Sequence, residues 1–451
     1  MIKHIKVNGF KTLHKFEMDL KSGLNILVGP NGSGKTNIIS FFEFLGYLQY
    51  MHISDAISKS GGAGTIFRKI GEKEYQDNIS ATITGTVKLE ARKYLYYQYS
   101  FRILLRVSGE PIIYSEQKLS LKLRAVDSIN KIRSSDYDLA IALNVDDNSK
   151  SKPTISAINE KIKELNNPYD ARRKYGKADI KRRIIQYLDN LDPDQSVITV
   201  LSMIIRDFYY PINNDIRGGE VYNIEPSKAK MPDDSAKKAG VSKDGSGLYS
   251  TLYAIQKYEG VNRQKYDYLP TYRYLPTYRH AIPRSDASTA NILRYTQLAN
   301  EWISNIVVSN NPFDQQLQVR VTLKGTGKPT ILPLSSMSDG TVKWIALITI
   351  ILTNQNMFAI EEPENYLHPH MLSEIILIMR EHMKKDRFIL MSTHSETLLN
   401  NAVPKEIIVI SCANGKTTAK RVSNAAALTK EIQKTGFGLG YYYLSGSLNN
   451  E

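Results

Sequence analysis

A short apolar run, Leu24 to Val28, leads into Gly29-Pro30-Asn31-Gly32-Ser33-Gly34-Lys35-Thr36, and a helical pattern opens at Thr36. The spacing is G-x-x-x-x-G-K-[ST], and a strand before it with a helix after it is the context that makes this motif a phosphate-binding P-loop. The glycines let backbone N–H groups turn inward around phosphate oxygens, and the N-terminus of the following helix adds its partial positive charge. In such a loop Lys35 reaches the β- and γ-phosphates and Thr36 ligates Mg²⁺. A central strand delivering a loop to a helix commits the chain to an α/β architecture with helices packed on a sheet.

The flanks agree with that class. Ile2 to Val7 and Lys15 to Leu20 alternate like a hairpin, and Ile79 to Leu123 carries three β-rich stretches at the spacing of an antiparallel meander. From Asp127 the chain turns polar and basic, helix-leaning over Ile155 to Lys163 and Ile180 to Leu188; Asn213 to Gly247, rich in Gly, Ser, Asp and Lys, reads as a loop or linker. A long helical pattern spans Ala287 to Val308, followed by strands near Gln316 to Leu323 and Thr330 to Leu334 and an apolar helix at Trp344 to Leu352. Beyond it, strands at Met357 to Ile360, Phe388 to Met391 and Glu406 to Ile410 flank a helix at His370 to Met383, an alternation that implies parallel strands with helical crossovers. The expected division is an N-terminal lobe over 1–125, a helical, basic insertion and linker over 126–247, and a C-terminal lobe over 248–451.

Charge and cysteine content narrow the setting. Lys and Arg number 59 against 45 Asp and Glu, a net charge of +14 that attracts polyanions. A single cysteine, Cys412, rules out an intramolecular disulfide and suits a reducing cytoplasm. The N-terminus lacks the apolar core of a signal peptide, and the run from Trp344 to Leu352 has roughly half the length needed to cross a bilayer, so no membrane role is expected.

Three further clusters carry candidate chemistry. Phe358-Ala359-Ile360-Glu361-Glu362-Pro363 is an apolar strand ending in two carboxylates, one suited to a metal shell and one to polarising water; an isolated acidic pair also fits plain surface charge. Ser338-Asp339-Gly340-Thr341 opens the apolar helix, where Ser338 is a good N-cap and the helix end suits an anion. His394 follows the strand Phe388 to Met391, at the strand end where ligands bind in parallel sheets. Two other features stay open between a structural and a nucleic-acid role: the tandem hexamer YLPTYR at Tyr268 to Arg279, and the run Arg172, Arg173, Lys174, Lys177, Lys181, Arg182 and Arg183.

The order of these motifs, P-loop, Ser-Asp-Gly-Thr, Ile-Glu-Glu-Pro-Glu-Asn and Ser-Thr-His, resembles the ATP-binding-cassette (ABC) ATPases, in particular the SMC, RecF and OLD-type branch. The resemblance implies a cassette head with a mixed sheet, flanking helices, an antiparallel β lobe and a helical insertion. It also implies roles. Glu361 takes the Walker B place, where most cassettes have aspartate, and would join Thr36 on Mg²⁺. Glu362 takes the catalytic-base place beside Lys35, and His394 the switch-histidine place. Ser338, Asp339, Gly340 and Thr341 take the signature place, which meets the γ-phosphate held by a second copy, while Lys11 and Thr12 of Phe10-Lys11-Thr12 fall where the family's chain passes the nucleotide. The glutamate at 361, with Pro-Glu-Asn and His368-Pro369 after it, is similar to the OLD-like subgroup. Gln49 and Gln76 stand in contexts unlike the family's Q-loop glutamine.

The resemblance implies ATP and Mg²⁺ as ligands and a homodimer or higher oligomer with ATP sandwiched between heads. It further implies the ATPase subunit of an anti-phage system of the Septu or PARIS type, acting as sensor or scaffold for a separate nuclease, since no acidic cluster for a two-metal nuclease follows His394. The alternatives are a RecF-like or SMC-like repair ATPase that binds DNA directly, and an ATP-gated scaffold with negligible turnover.

Overall fold

The computed structural model describes residues 1–72, 74–90, 93–105, 112–125, 137–145, 151–158, 165–166, 174–175, 177–199, 206–217, 220–259, 287–325, 327–354, 357–383 and 386–447. The chain divides into two compact units: Met1–Glu220 with Lys385–Phe388 and Ile408–Arg421, and Val221–Lys384 with Ile389–Ile407 and Val422–Glu451.

In the first unit, β1 (Ile2–Asn8) and β2 (Phe16–Asp19) form the expected hairpin, Ile5 opposite Met18. β3 (Gly23–Val28) is buried along nearly its whole length, as a central strand must be, and delivers the P-loop to a helix over Lys35–Tyr47. That helix buries Ile38, Ile39, Phe41, Phe42, Phe44 and Leu45. Phe10, just after β1, stacks on Phe44 and meets Phe41 edge-on, both at 5.5 Å between ring centroids. Such aromatic pairs add about 0.5–1.5 kcal/mol each beyond area burial, so the P-loop helix is pinned to the segment that carries Lys11 and Thr12.

β4 (Asn78–Glu90), β5 (Lys93–Leu104) and β6 (Ile113–Ala125) continue antiparallel from β1 as the meander expected, and β7 (Tyr137–Val145) and β8 (Ser151–Ile158) extend it to seven strands in the order β2-β1-β4-β5-β6-β7-β8. Alternation along β5 buries Leu95, Tyr97, Tyr99, Phe101 and Ile103 on one face. β8 corrects the helix-leaning reading of Ile155 to Lys163 over residues 155–158, and residues 159–163 lie outside the described residues. Its β-branched Thr154, Ile155 and Ile158 pair with β7, and strand pairing overrides weak local helix preference. β9 (Leu165–Asn166) and β10 (Lys174–Tyr175) form a two-residue ladder, and helices follow over Lys177–Asp189 and Arg206–Arg217. Of the basic run, Arg172 and Arg173 lie outside the described residues; Lys181 and Arg182 are exposed on the first of these helices, where Arg182 pairs with Asp179 at 2.6 Å.

β11 (Glu220–Tyr222) carries the chain into the second unit, and the stretch read as a loop or linker, Asn213 to Gly247, is irregular over most of its length but holds the end of the Arg206–Arg217 helix, β11, a short helix over Pro226–Ala229 and an ordered loop. Buried Asp233 accepts from the Ser250 N–H at 3.0 Å and from the Lys237 ammonium at 2.6 Å, and Asp244 caps its own turn through the Ser246 N–H and hydroxyl. Short polar side chains here substitute for a regular backbone ladder, which composition alone cannot distinguish from a loose loop. A helix over Leu248–Glu259 follows, and the YLPTYR repeat lies outside the described residues.

The pattern from Ala287 to Val308 splits. A helix spans Thr289–Ala299, and at Asn300 the backbone turns extended and enters β12 (Ile303–Asn310), whose Ile and Val residues pair antiparallel with β13 (Leu317–Leu323), itself paired with β14 (Thr330–Pro333). Next comes the apolar helix, Asp339–Thr353, buried from Thr341 to Leu352. β15 (Phe358–Glu361) and β16 (Phe388–Ser392) are parallel, with the helix Pro369–His382 between them in sequence, as expected of a crossover.

The chain returns to the first unit as a hairpin, β17 (Ile407–Ala413) and β18 (Lys416–Arg421), with β17 next to β3. The aromatic tail then packs on the second unit, burying Leu439 and Tyr442 and donating the Gly440 N–H to Asn400 at 2.8 Å. Among the described residues no helix is long and apolar enough to cross a membrane.

Trp344 is the largest side chain buried without residual exposure, and its Nε1–H donates to the Tyr295 carbonyl at 2.9 Å. Replacing it with alanine removes a full aromatic volume and leaves a cavity in the core, so Trp344→Ala is expected to cost about 3–5 kcal/mol. Urea unfolding followed by tryptophan-independent circular dichroism reads the loss as a lower midpoint; an unchanged midpoint would mean that this helix is not part of the cooperative core.

Candidate functional site

In the first unit the P-loop begins where β3 ends. Lys35 is only 6% exposed, and its ammonium donates to the Gly29 carbonyl at 2.8 Å and the Pro30 carbonyl at 3.1 Å, so the cation is held inside the loop. Gly34 caps the helix at φ 103°, a left-handed conformation open to glycine. The hydroxyl of Ser33 is buried and has no hydrogen-bond partner. Gly32, at φ 78°, leaves open space where a Cβ would stand. An unpaired buried donor beside an open backbone cradle at a helix N-terminus fits a phosphate group. Thr36 is exposed on the first turn, and its hydroxyl is the hard oxygen donor that Mg²⁺ takes. Asn31 and Pro30 are exposed at the rim.

The loop is braced from both sides. Lys11 sits at φ 47° with its N–H donating to the Ile66 carbonyl, and this turn presents Thr12. Thr12 Oγ1 lies 2.6 Å from Thr417 Oγ1 on β18, receives the Asn37 side-chain amide at 2.7 Å, and Thr417 Oγ1 lies 3.1 Å from the Ser33 carbonyl. A Cβ on Gly29 would stand 2.2 Å from the Ile410 carbonyl, and one on Gly34 2.1 Å from Thr417 Oγ1.

In the second unit the carboxylates lie at the end of β15. Glu361 is half-buried. Glu362 adopts φ 43°, unusual for a residue with a side chain, and is held there by its N–H to the Ser392 carbonyl at 3.0 Å. Its carboxylate receives the Asn365 amide at 3.1 Å and lies 4.0 Å from His394 Nε2. Glu364 accepts from the Thr393 hydroxyl and the His394 N–H, both at 2.8 Å, while its second oxygen is buried without a partner. Thus Glu362 and Glu364 on the loop after β15 and His394 just after β16 form one acidic and imidazole cluster.

Ser338 caps the Asp339–Thr353 helix, its hydroxyl accepting from the Thr341 N–H at 3.3 Å, and Asp339 pairs with Lys230 at 2.6 Å. Ser338 and Asp339 are exposed, whereas Thr341 is buried. One turn further, Lys343 is 1% exposed and donates to the Glu362 carbonyl at 3.3 Å, with its ammonium 5.6 Å from the centre of the Tyr366 ring. Burial pushes its pKa down from 10.5 to about 8, against the pull of Glu364 and Glu362 in the opposite direction. A Cβ on Gly340 would stand 2.7 Å from the Tyr366 carbonyl, so the Ser338–Thr341 turn and the 362–366 loop pack as one piece.

The structure therefore gathers Gly29 through Thr36 with Lys11 and Thr12 in one unit, and Ser338 through Thr341 with Glu362 and His394 in the other. Sequence reasoning missed three residues. Lys343 stood as the border of an apolar run, and its signal was a lone cation inside a helix otherwise buried. Glu364 was the third acid of Glu361-Glu362-Pro363-Glu364. Thr417 carries no local signal.

Comparison with known proteins follows the same division. Residues 1–84 match the model of a family described as an AAA ATPase domain, and residues 248–400 that of a family described as an AAA domain, putative AbiEii toxin, Type IV TA system. The P-loop falls in the first match, and the Ser338 turn, the carboxylates and His394 fall in the second. A stretch of 81 residues is 31% identical to the DNA replication and repair protein RecF of Glaesserella parasuis, covering 17% of this chain and 22% of that protein, so the match spans about a fifth of that relative. Among solved structures the chain is similar to an SMC head bound to the C-winged helix domain of ScpA (14% identity, 94% of this chain and 99% of that one, TM-score 0.45) and to the SMC head domain from Thermotoga maritima (10%, 94% and 99%, 0.37).

The buried lysine sets a pH dependence. Below about pH 8 it is protonated folded and unfolded, and the folded state bears the whole cost of burying the charge; between about 8 and 10.5 the folded state has released a proton that the unfolded state still holds. The unfolded state binds more protons there, so Lys343 makes unfolding harder as pH rises through that window. Urea titrations from pH 7 to 10 are expected to show wild type gaining stability relative to Lys343→Met; parallel profiles would remove the buried-charge account.

Proposed function

We propose that this chain binds and hydrolyses ATP as an ABC-type P-loop ATPase. The observation that carries the reading is the cradle at Gly29–Thr36, with Lys35 held inside it and the Ser33 hydroxyl buried and unpaired. Lys35 binds the β- and γ-phosphates, and the loop N–H groups take the remaining oxygens. Thr36 and Glu361 are the residues that would hold Mg²⁺, whose chemistry there is neutralisation of phosphate charge. Glu362 orients the attacking water and takes its proton, and His394, beside it, reads the γ-phosphate. The exposed Ser338 and Asp339 at a helix N-terminus suit contact with the γ-phosphate held by a second copy, which makes ATP part of a homodimer or higher oligomer interface and hydrolysis the event that loosens it.

At the level of biology, we infer a cytoplasmic sensor or scaffold subunit of an anti-phage complex whose effector is a separate nuclease. That reading rests on the motif resemblance; the match of residues 248–400 to a family described as an AAA domain, putative AbiEii toxin, Type IV TA system is in keeping with a toxin–antitoxin type of setting and names no nuclease. The similarity to RecF supports the second one, a repair ATPase that binds DNA directly. Tagged Glu362→Gln protein recovered from its native host in the presence of ATP separates them: a stoichiometric nuclease supports the first, and DNA with repair factors supports the second.

Removing a general base typically costs 10²–10⁴-fold in turnover. Glu362→Gln is expected to lose phosphate release on that scale while keeping ATP affinity, and Lys35→Ala to lose binding itself. Steady-state phosphate release and equilibrium binding read the two apart, and wild-type turnover in Glu362→Gln would end the assignment of the base.

A further inference from the structure

We propose that Thr417 is a positioning residue of the nucleotide site, fixing the P-loop backbone at Ser33–Gly34 through a hydroxyl relay that begins at Asn37. The proposal rests on the ATP-binding reading above and concerns a residue that no sequence motif marks.

Hydrogen-bond bookkeeping sets the direction of the relay. The Ser33 carbonyl can only accept, so the 3.1 Å contact uses the one hydroxyl proton of Thr417. The 2.6 Å contact between Thr417 and Thr12 must then take its proton from Thr12. Thr12 has no second proton to give, so at 2.7 Å the Asn37 amide is the donor. The sequence Asn37 N–H to Thr12 O–H to Thr417 O–H to the Ser33 carbonyl is therefore the one assignment that satisfies every group. Backbone pairing holds the relay in register, since the Thr417 N–H donates to the Thr12 carbonyl at 3.0 Å. Thr417 is 1% exposed, so water does not replace a lost partner.

The consequence follows from peptide geometry. In a trans peptide the C=O and the N–H point in opposite directions. Pulling the Ser33 carbonyl toward Thr417 aims the Gly34 N–H away from β18. That N–H belongs to the group of donors with which a P-loop surrounds phosphate. The approach is possible because residue 34 is glycine, for a Cβ there would stand 2.1 Å from Thr417 Oγ1. Thr417 thus acts on phosphate through the backbone and not by touching it.

The test uses the full chain as Thr417→Val, which keeps shape and removes the hydroxyl, Thr417→Ser, which keeps the hydroxyl, and Thr417→Ala as a second deletion of the relay. Equilibrium binding of ATP and steady-state kinetics are measured with thermal unfolding of each nucleotide-free variant. Losing one buried hydrogen bond predicts a 5- to 30-fold rise in Kd and KM for Val and Ala, with kcat within about twofold of wild type and Ser restoring wild-type affinity. Wild-type affinity in Val and Ala overturns the proposal, as does a Ser variant as weak as Val. A drop in kcat at unchanged KM overturns it too. A wild-type chain that binds no ATP in the same assay overturns instead the reading on which the proposal rests.

Discussion

Two glycines of the P-loop are pressed by residues almost four hundred positions later in the chain. The Ile410 carbonyl occupies the place of a Gly29 side chain and Thr417 that of a Gly34 side chain, with Thr417 and Ser33 separated by 384 residues in sequence. Glycine at these positions is required as much by this contact as by the phosphate that such loops receive. The hairpin β17–β18 must therefore come back beside β3 for the loop to take its shape, and the first unit closes only when the chain has nearly finished. Contacts of such long separation are slow to form, because loop closure is unfavourable until they are made. The aromatic packing of Phe10 on Phe41 and Phe44 supplies a local half of the same scaffold early in the chain.

The second unit solves a different problem, that of holding a carboxylate loop in a conformation its residues resist. Glu362 and Tyr366 both adopt positive φ, at 43° and 68°, and neither is glycine. Such positions cost of order 1–3 kcal/mol each and persist where surroundings over-determine them. Here the surroundings are the Ser392 carbonyl, the Asn365 amide and the ammonium of Lys343, which donates to the Glu362 carbonyl from inside the apolar helix. Burying that ammonium is itself unfavourable, as its lowered pKa records, and the nearby carboxylates of Glu364 and Glu362 offset part of the cost.

How much of this could be read from sequence depends on the range of the interaction. The P-loop, its strand and its helix were legible because the motif, the apolar run and the helical period are local and agree with one another. The same holds for the parallel pair β15 and β16 with the helix between them, and for the acidic strand end. Where the deciding partner is remote, the sequence was misleading. Ile155 lies in β8 because β7 pairs with it, and the stretch after Ala299 becomes β12 because β13 pairs with that. Asn213 to Gly247 looked like a linker because its order comes from Asp233 and Asp244 bonding to particular backbone groups, which composition does not encode. Thr417 is the limiting case, a threonine in an unremarkable strand whose role exists only through Thr12 and Ser33.

The two candidate sites, one in each unit, also differ in what stabilises them. The P-loop is braced from β18 and the Thr12 turn by neutral groups, hydroxyls, an amide and a carbonyl, and the one charge inside it is the Lys35 ammonium on the Gly29 and Pro30 carbonyls. The Glu362 loop is held around charges, with the Lys343 ammonium and the Glu362 and Glu364 carboxylates in one cluster beside the His394 ring. Gly340 packs against the Tyr366 carbonyl of that loop, so the exposed turn at Ser338 and the carboxylate loop are in direct contact. Close-packed pieces shift between discrete arrangements and do not deform smoothly. The turn at Ser338 and Asp339 thus meets the carboxylate loop at its Tyr366 end, through one glycine and one carbonyl, and the left-handed residue 362 stands at the other end of the same loop.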